Sequence, residues 1–300
     1  MIPGRTYFIS RRCTQRQFLL RPDKDVDQIY LYCLGEAALR YELTLHAWMP
    51  MSNHQHLEAR DNRGNFPAFL AHLNKMLAKA LNAHWGRWEN LWATEQPNAV
   101  YLIDANDRFD KLIYILANPV NDHLVERASD WPGATSLTQV LSGKSITVKR
   151  PRGFFSEDGP MPEEVTLRAE RPEGFENLTQ AEWSKLVLDA IGAAERVARD
   201  ERVEKKIRVL GRKNVLRAHH TDRPSTVEPR KGLRPNVACK NPEGRIRALA
   251  ALRAFRIEYR AMFKRWIARV KDVVFPAGTY RLLHFGVPCA PSGSVASAPS

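Results

Sequence analysis

Two histidines separated by one residue, His54 and His56, have the type and spacing that metal chemistry requires. The segment around them has the composition of a strand, and side chains two residues apart on a strand project from the same face. Two imidazoles on one face are typical of two ligands of one metal ion. Such pairs also occur as ordinary surface or core residues, so a second element must supply the rest of a site.

A helix predicted at residues 109–120 contains further reactive groups. Tyr114 and Asn118 are four residues apart and Lys111 precedes the tyrosine by three, so the three share one helix face. Asp107 is placed to cap this helix, with Asp110 in an acidic first turn. The helical period comes from Phe109, Leu112, Ile113, Leu116 and Val120. A purely structural interpretation also fits, with Tyr114 flanking the apolar stripe and Asn118-Pro119 ending the helix.

Three short motifs follow one another along the first half of the chain. They are Met49-Pro50-Met51-Ser52-Asn53-His54-Gln55-His56-Leu57, Tyr114-Ile115-Leu116-Ala117-Asn118-Pro119-Val120 and Asp130-Trp131-Pro132-Gly133-Ala134-Thr135-Ser136. In order and spacing they resemble the REP-associated tyrosine transposases, single-tyrosine transposases of the HUH superfamily of single-strand DNA endonucleases. Two departures are present. Gln55 replaces a residue that is usually hydrophobic, and one extra residue separates Met-Pro from Asn-His.

This resemblance implies a DNA endonuclease and strand transferase acting on single-stranded DNA or hairpin repeats. It implies that Tyr114 forms a 5'-phosphotyrosine intermediate, that His54 and His56 bind a divalent metal, and that Asn118 is the third ligand. Imidazole with amide oxygen suits Mg²⁺ or Mn²⁺. Lys111, on the same helix face, either contacts a phosphate or is a solvated surface lysine.

Two other functions stay open on the sequence. One is a non-catalytic DNA-binding descendant of a transposase, against which the retention of the histidines, Tyr114 and Asn118 counts. The other is a metal-dependent nuclease that uses activated water and forms no covalent intermediate. The sequence also leaves open whether the protein is a monomer or a homodimer, and whether Tyr114 acts with the histidines of its own chain.

Positive charge is concentrated in the second half of the 300-residue chain. Residues 1–145 have a net charge of +1, whereas residues 146–300 carry +12 of the total of +13. Such a basic segment is typical of proteins that bind a polyanion, although a merely solvated cationic surface is the alternative. We predict a catalytic domain at 1–145, a basic, mostly helical DNA-binding region at 146–290, and a disordered tail at 291–300.

The periodicity of the first half predicts an α+β domain with the order βαββαβα. Strands are predicted at 5–12, 42–49, 53–61 and 99–104, and helices at 25–41, 66–85 and 109–120. This order is typical of a ferredoxin-like fold, an antiparallel sheet with helices on one face. In the second half, a capping box at Thr179 and Glu182 predicts a helix start, and a basic helix is predicted from about Arg245 to Val270.

Four other basic residues are candidate DNA contacts. Lys75 and Lys79 lie with His72 on the polar face of the 66–85 helix, where a solvated surface is an equally good interpretation. Arg212 and Lys213 lie in a predicted basic loop. The four scattered cysteines form no CxxC pair or zinc spacing, and neither a signal peptide nor a membrane-length apolar run is present. We therefore expect a soluble, cytoplasmic protein, and the resemblance to the transposases further implies a prokaryotic protein associated with the nucleoid.

Overall fold

The structure, a computed structural model, describes residues 1–156, 158–226 and 235–291. Within these ranges the main sheet contains β1 (Arg5–Arg12), β2 (Leu43–Pro50), β3 (His54–Asp61), β4 (Asn98–Leu102) and β7 (Val237–Ala238), and a separate hairpin contains β5 (Ile146–Lys149) and β6 (Glu164–Leu167). The helices are α1 (Lys24–Tyr41), α2 (Phe66–His84), α3 (Ala105–Asn121), α4 (Leu137–Ser142), α5 (Gln180–Lys205), α6 (Arg212–Arg217) and α7 (Pro242–Ile267). The predicted α+β class is confirmed.

The main sheet is mostly antiparallel and has the strand order β2-β3-β1-β4-β7. The short strand β7 adds to β4 in parallel and was not predicted, because two residues carry no readable period. The register places His56 opposite Ser10 of β1 and Met49 of β2, and places Glu58 opposite Phe8. Strand β3 is therefore an interior strand that pairs with β1 on one side and β2 on the other.

Helices cover both faces of this sheet, which corrects the expectation of helices on one face. Gln55 donates from Nε2 to Asn74 Oδ1 of α2 at 3.3 Å, whereas the adjacent His56 ring contacts Tyr114 of α3. The reason for helices on both faces is that β3 has buried side chains on each of its two faces. A strand buried on both sides needs packed elements on both sides. Gln55 thus faces away from the histidines, as expected.

Helix α3 begins earlier and ends later than the sequence pattern indicates. Its N-cap is Asp104, and Asp107 is the third residue of a capping box, not the cap itself. Asp107 accepts a hydrogen bond from the Asp104 backbone N–H at 3.2 Å. The helix continues through Asn118-Pro119 to Asn121, so the interpretation of this dipeptide as the end of the helix is wrong. The extension keeps Asn118 on helical backbone, one turn after Tyr114.

Residues beyond 145 contribute to the core that supports α3. Trp183 of α5 is 1% exposed, and its ring centroid lies 5.8 Å from that of Phe109 on α3. Val187 and Ile191 of α5 are also buried in the core. Hairpin β5–β6 packs on α1 instead, where Val165 and Leu167 lie against Gly35. The predicted boundary at residue 145 lies between α4 and β5, but the hydrophobic core continues across it.

The remaining elements of the second half differ in how closely they match expectation. The capping box at Thr179 and Glu182 is present and α5 begins at Gln180, as predicted. The predicted loop at Arg212 and Lys213 is instead the short helix α6, which follows a glycine in a positive-φ conformation, Gly211 (φ 84°). Hairpin β5–β6 was not predicted. The predicted disordered tail lies outside the described residues, apart from Pro291.

Helix α7 packs least against the rest of the molecule. Of its residues only Gly244 is buried. Its last turns contact a second, small hydrophobic cluster made of Val273, Phe275, Leu282 and Val287. Among the described residues, no helix is both long and apolar enough to cross a membrane.

Candidate active site

The two histidines lie at the start of β3, immediately after the turn from β2. The turn is closed by a hydrogen bond from Met51 N to His54 O at 2.8 Å. The Nε2 atoms of His54 and His56 are 2.9 Å apart, and their rings are nearly perpendicular at 82°. His54 Nδ1 is 2.6 Å from Asn53 Oδ1, an acceptor that places the proton on Nδ1 and leaves the lone pair on Nε2. The Nε2 atoms of the two histidines therefore converge on one point.

Burial keeps both imidazoles neutral. It lowers the pKa of His54 from its ordinary 6.5 to about 4, although the Asn118 side chain partly offsets this. Burial lowers the pKa of His56 well below its usual range, and the neighbouring charges of His54 and Lys111 act in the same direction. A neutral imidazole has a free lone pair, which metal binding requires. At neutral pH the pair is thus ready to bind a cation.

Tyr114 faces the histidines from α3. Its ring centroid is 5.5 Å from that of His56 with an interplanar angle of 75°, and 5.8 Å from that of Phe8. Phe8 also stacks on His56 at 5.4 Å, so one phenyl ring contacts both functional rings. Tyr114 remains 39% exposed, which leaves it open to a substrate from solvent. Burial of the remainder and the charge of Asp122 raise the pKa of Tyr114, and Asn118 lowers it in part.

Asn118 lies between the tyrosine and the histidines and is 2% exposed. Its side chain influences the pKa of both His54 and Tyr114, which places it beside both groups. Its Oδ1 atom is buried and has no hydrogen-bond partner among the described residues. A buried amide oxygen without a partner is costly unless something binds it.

These donors fit a divalent metal. Two nitrogens 2.9 Å apart have the separation expected of neighbouring ligands that each lie about 2.1 Å from one ion. The unpartnered Oδ1 of Asn118 supplies an oxygen of the kind that Mg²⁺ and Mn²⁺ favour. The ligand set predicted from the sequence is therefore compatible with the geometry, and its role stays a prediction.

Two other groups bring three potential ligand atoms within 4.8 Å of one another, Asp23-Asp25-His84 and Asp104-Asp107-Cys239. In the second group Cys239 Sγ donates to Asp104 Oδ2 at 3.0 Å, and Lys240 N donates to Asp107 Oδ1 at 2.9 Å. These contacts attach the segment around β7 to the start of α3. The sequence did not indicate them, because the partners are more than 130 residues apart.

Of the predicted DNA contacts, the structure brings Lys111 to the site. Its Nζ is 5.0 Å from the Tyr114 ring centroid and 5.2 Å from that of Phe8. Lys75 and Lys79 are exposed on α2, which covers the opposite face of the sheet. Arg212 and Lys213 are exposed on α6, where Arg212 donates to Asp130 O at 3.3 Å. Their contact with DNA stays a prediction.

Another residue of the predicted polar face of α2 has a structural partner. His72 Nε2 lies 2.6 Å from Glu36 Oε2 of α1, so this histidine joins two helices and is not available for a phosphate. The third motif is structural as well. Ser136 is fully buried, and its Oγ accepts a hydrogen bond from Trp48 N of β2 at 2.9 Å.

The sequence interpretation missed three residues of the site: Asn53, Phe8 and Glu58. Asn53 orients His54, and Phe8 contacts both His56 and Tyr114. Glu58 continues the alternation of His54 and His56 by two residues and lies opposite Phe8. The alternating pattern of β3 alone was sufficient to place Glu58 on the same face as the two histidines. Finding Phe8 required the pairing register between β1 and β3, which the sequence of a single strand does not reveal.

Two solved structures are similar to this chain. A solved REP-associated tyrosine transposase bound to a REP hairpin is 17% identical, with a TM-score of 0.39, covering 60% of this chain and 94% of that one. A proposed transposase from Deinococcus radiodurans R1 is 20% identical, with a TM-score of 0.28, covering 33% of this chain and 80% of that one. No protein-family model and no curated protein matches. At these identities and TM-scores the likeness says nothing by itself about activity.

Proposed function

We propose that this protein is a transposase-like single-strand DNA endonuclease and strand transferase that acts on hairpin or repeat DNA. One observation carries the proposal. One side of the sheet brings together three kinds of group: the half-exposed Tyr114, the neutral His54 and His56 with converging Nε2 atoms, and the unpartnered amide oxygen of Asn118. The structural alternative, an aromatic residue packed at the edge of a core, does not require buried polar groups beside it.

In the proposed reaction Tyr114 Oη attacks the phosphorus of a DNA phosphodiester. A bond forms between Oη and phosphorus, and the bond to the 3'-oxygen breaks. The tyrosine loses its proton, and the leaving oxygen takes one up to become a free 3'-hydroxyl. The product is a 5'-phosphotyrosine linkage. Because the phosphate remains esterified, the 3'-hydroxyl of a second strand can reverse the step without an external energy source.

His54, His56 and Asn118 would hold a divalent cation, Mg²⁺ or Mn²⁺. When bound, such a cation polarises the oxygens of the scissile phosphate and lowers the charge that develops in the transition state. Phe8 keeps the His56 and Tyr114 rings in place through its contacts with both. Lys111 lies where its ammonium can meet the phosphate of the substrate.

The partner of this site is DNA, with the exposed basic residues of the second half as the further contact surface. Arginines and lysines cover α7, and all of them are exposed. Charge of this kind binds phosphates without reading sequence. In this proposal β1 to β4 form the ferredoxin-like catalytic sheet, and helix α5 supports it from the side of α3.

A suicide assay tests this function. The wild-type protein is incubated with single-stranded hairpin oligonucleotides that carry a label on either side of the cleavage position, with Mg²⁺ or Mn²⁺. We expect the strand on the 3' side of the break to remain attached to the protein on a denaturing gel. Cleavage without an attached strand would indicate a nuclease that uses water. Binding without cleavage across a library of hairpins would indicate a non-catalytic descendant.

A further inference from the structure

The loop that follows α2 contains three tryptophans in different surroundings. Trp92 is buried and donates from Nε1 to Asn74 O at 2.9 Å, and Trp85 is half-buried and donates from Nε1 to Leu19 O at 3.1 Å. Trp88 is 92% exposed, the largest exposed fraction of any large apolar side chain among the described residues. Packing therefore explains Trp85 and Trp92 but not Trp88.

The exposure of Trp88 does not come from a loop without internal contacts. The residues on either side of it are fixed, because Arg87 N donates to Asn82 O at 2.8 Å and Asn82 Nδ2 donates to Glu89 O at 2.6 Å. Arg87 Nη1 also donates to Gln17 Oε1 at 3.2 Å. An indole on a fixed backbone loses little conformational entropy when a flat ligand binds it.

The same loop lies next to the turn that carries the candidate metal ligands. Two consecutive residues after the end of β1 join the two regions. Cys13 N donates to Asn53 O, the residue before His54, at 2.7 Å, and Thr14 N donates to Leu91 O at 2.8 Å. A DNA strand that leaves the candidate site across this segment therefore reaches the tryptophan loop.

Two arginines with neutral partners lie along this path. The side chain of Arg87 donates to the amide of Gln17, and Arg16 donates to the backbone carbonyl and the hydroxyl oxygen of Thr226. Neither arginine forms an ion pair with a described residue. Their charge is therefore not compensated within the described part of the chain, and it favours a polyanion as the partner of this surface.

The neighbouring Trp85 already binds a flat heterocycle. The His220 imidazole lies on the Trp85 indole with ring centroids 4.4 Å apart and an interplanar angle of 13°. The Arg21 guanidinium lies 6.0 Å from the centroid of the same indole. Aromatic planes beside guanidinium groups are what proteins use to stack unpaired bases on a cationic surface.

We propose that Trp88 is a stacking platform for an unpaired base of the DNA strand that leaves the candidate active site, with Arg87 and Arg16 as contacts for the phosphates of that strand. The inference rests on the proposed function and names a binding subsite for its substrate. Stacking requires a free base face, which a base inside a duplex does not offer. The platform therefore favours single-stranded over duplex DNA next to the point of cleavage.

Binding of defined strands to the full-length protein tests the proposal without requiring cleavage. The probes are labelled oligothymidylate, an abasic oligonucleotide of the same length, and the oligothymidylate annealed to oligoadenylate. The variants are Trp88→Ala, Trp88→Phe and Arg87→Gln, each in the Tyr114→Phe background with EDTA, and circular dichroism verifies that each is folded. Phe285→Ala is the matched control, because it removes another aromatic ring that is 72% exposed and lies far along the chain.

We expect Trp88→Ala to weaken binding of oligothymidylate by about 10-fold and to leave binding of the abasic strand and of the duplex unchanged, because only base stacking is lost. Trp88→Phe should retain most of the affinity, and Phe285→Ala should bind as the parent does. Arg87→Gln should weaken binding of both single strands and lower the slope of log K against log salt by about 0.7, whereas Trp88→Ala should leave that slope unchanged.

Three results would each overturn the proposal. They are an unchanged affinity of Trp88→Ala for oligothymidylate, an equal loss for oligothymidylate and the abasic strand, and a parent protein that binds neither single strand. The result is also separable from the proposed function. If no protein forms an adduct but the loss in Trp88→Ala is confined to strands with bases, the stacking platform stands and the cleavage function fails. If adducts form but Trp88→Ala binds oligothymidylate as the parent does, the platform fails and the cleavage function stands.

Discussion

Helices α3 and α7 both carry polar groups that we connect with DNA, but they present them in different ways. Along α3, Asn118 and Asp107 are buried and Tyr114 is fixed between the rings of Phe8 and His56. Along α7, only Gly244 is buried and every basic side chain is exposed. The difference fits the proposed roles, because reaction chemistry needs groups fixed by packing, whereas phosphate attraction needs only charge within reach.

The largest expected effect on activity comes from a substitution on α3. Tyr114→Phe removes one oxygen and leaves the ring contacts intact, so cleavage and adduct formation should fall by at least about 10³-fold while DNA affinity is retained. Denaturing gels measure the adduct, and fluorescence anisotropy measures affinity. An adduct that persists in this variant would place the nucleophile elsewhere.

His54→Ala and His56→Ala should each reduce metal-dependent cleavage by at least about 100-fold, because a cation held by the two remaining protein groups would bind weakly. Titration with Mn²⁺ should recover part of the activity at high concentration. His72→Ala is the control, since His72 contacts Glu36 on the opposite face of the sheet. Cleavage by the wild-type protein in EDTA would contradict the metal assignment.

A third prediction concerns the support of α3 by the second half of the chain. Trp183→Ala should lower the free energy of unfolding by about 3–5 kcal/mol, because it leaves a cavity beside Phe109. A chain that ends at residue 145 should be less stable than one that ends at 226, since the shorter chain lacks all of α5. Urea unfolding measures both. Equal stability of the two truncated chains would support the predicted domain boundary at residue 145.

Neutralising α7 should have a smaller and different effect. Replacing Arg253, Arg256, Arg260 and Lys264 by Gln should weaken DNA binding and flatten its salt dependence, by about 0.7 in the slope of log K against log salt for each lost single-strand phosphate contact. The cleavage rate at saturating DNA should be unchanged. The matched comparison is the double variant Lys75→Gln/Lys79→Gln, which removes positive charge from α2 instead of α7. An unchanged slope in the α7 variant would remove α7 from the DNA surface.

A further expected effect is on stability as a function of pH. The folded protein keeps His54 neutral down to about pH 4, whereas the unfolded chain takes up a proton near 6.5. Stability of the metal-free protein should therefore fall as the pH drops from 6.5 towards 4, with a His54 contribution on the order of 3 kcal/mol. Urea unfolding of wild type and His54→Gln measures this. His219→Gln, at an exposed position, is the control. An equal fall in wild type and His54→Gln would contradict the burial of His54.

Periodicity alone was sufficient for strands β1 to β4, for helices α1 to α3 and for the faces of the candidate site residues, but not for β5, β6, β7 or α6. Alternation along β3 places His54 and His56 together and turns Gln55 away, and helical spacing aligns Lys111, Tyr114 and Asn118. These relations depend on the geometry of a single strand or helix, so a local pattern determines them. The Thr179 capping box is of the same kind, because its hydrogen bonds connect residues three apart.

Only the tertiary structure decided which elements share the site and what covers them. The register of β1 against β3 places Phe8 opposite Glu58, and the packing of α5 holds α3 in position. The continuation of α3 through Pro119 and the helices on both faces of the sheet also depend on contacts between distant segments. Such contacts depend on which surfaces of different elements are buried together, and the hydrophobic periodicity within a single strand or helix does not predict them.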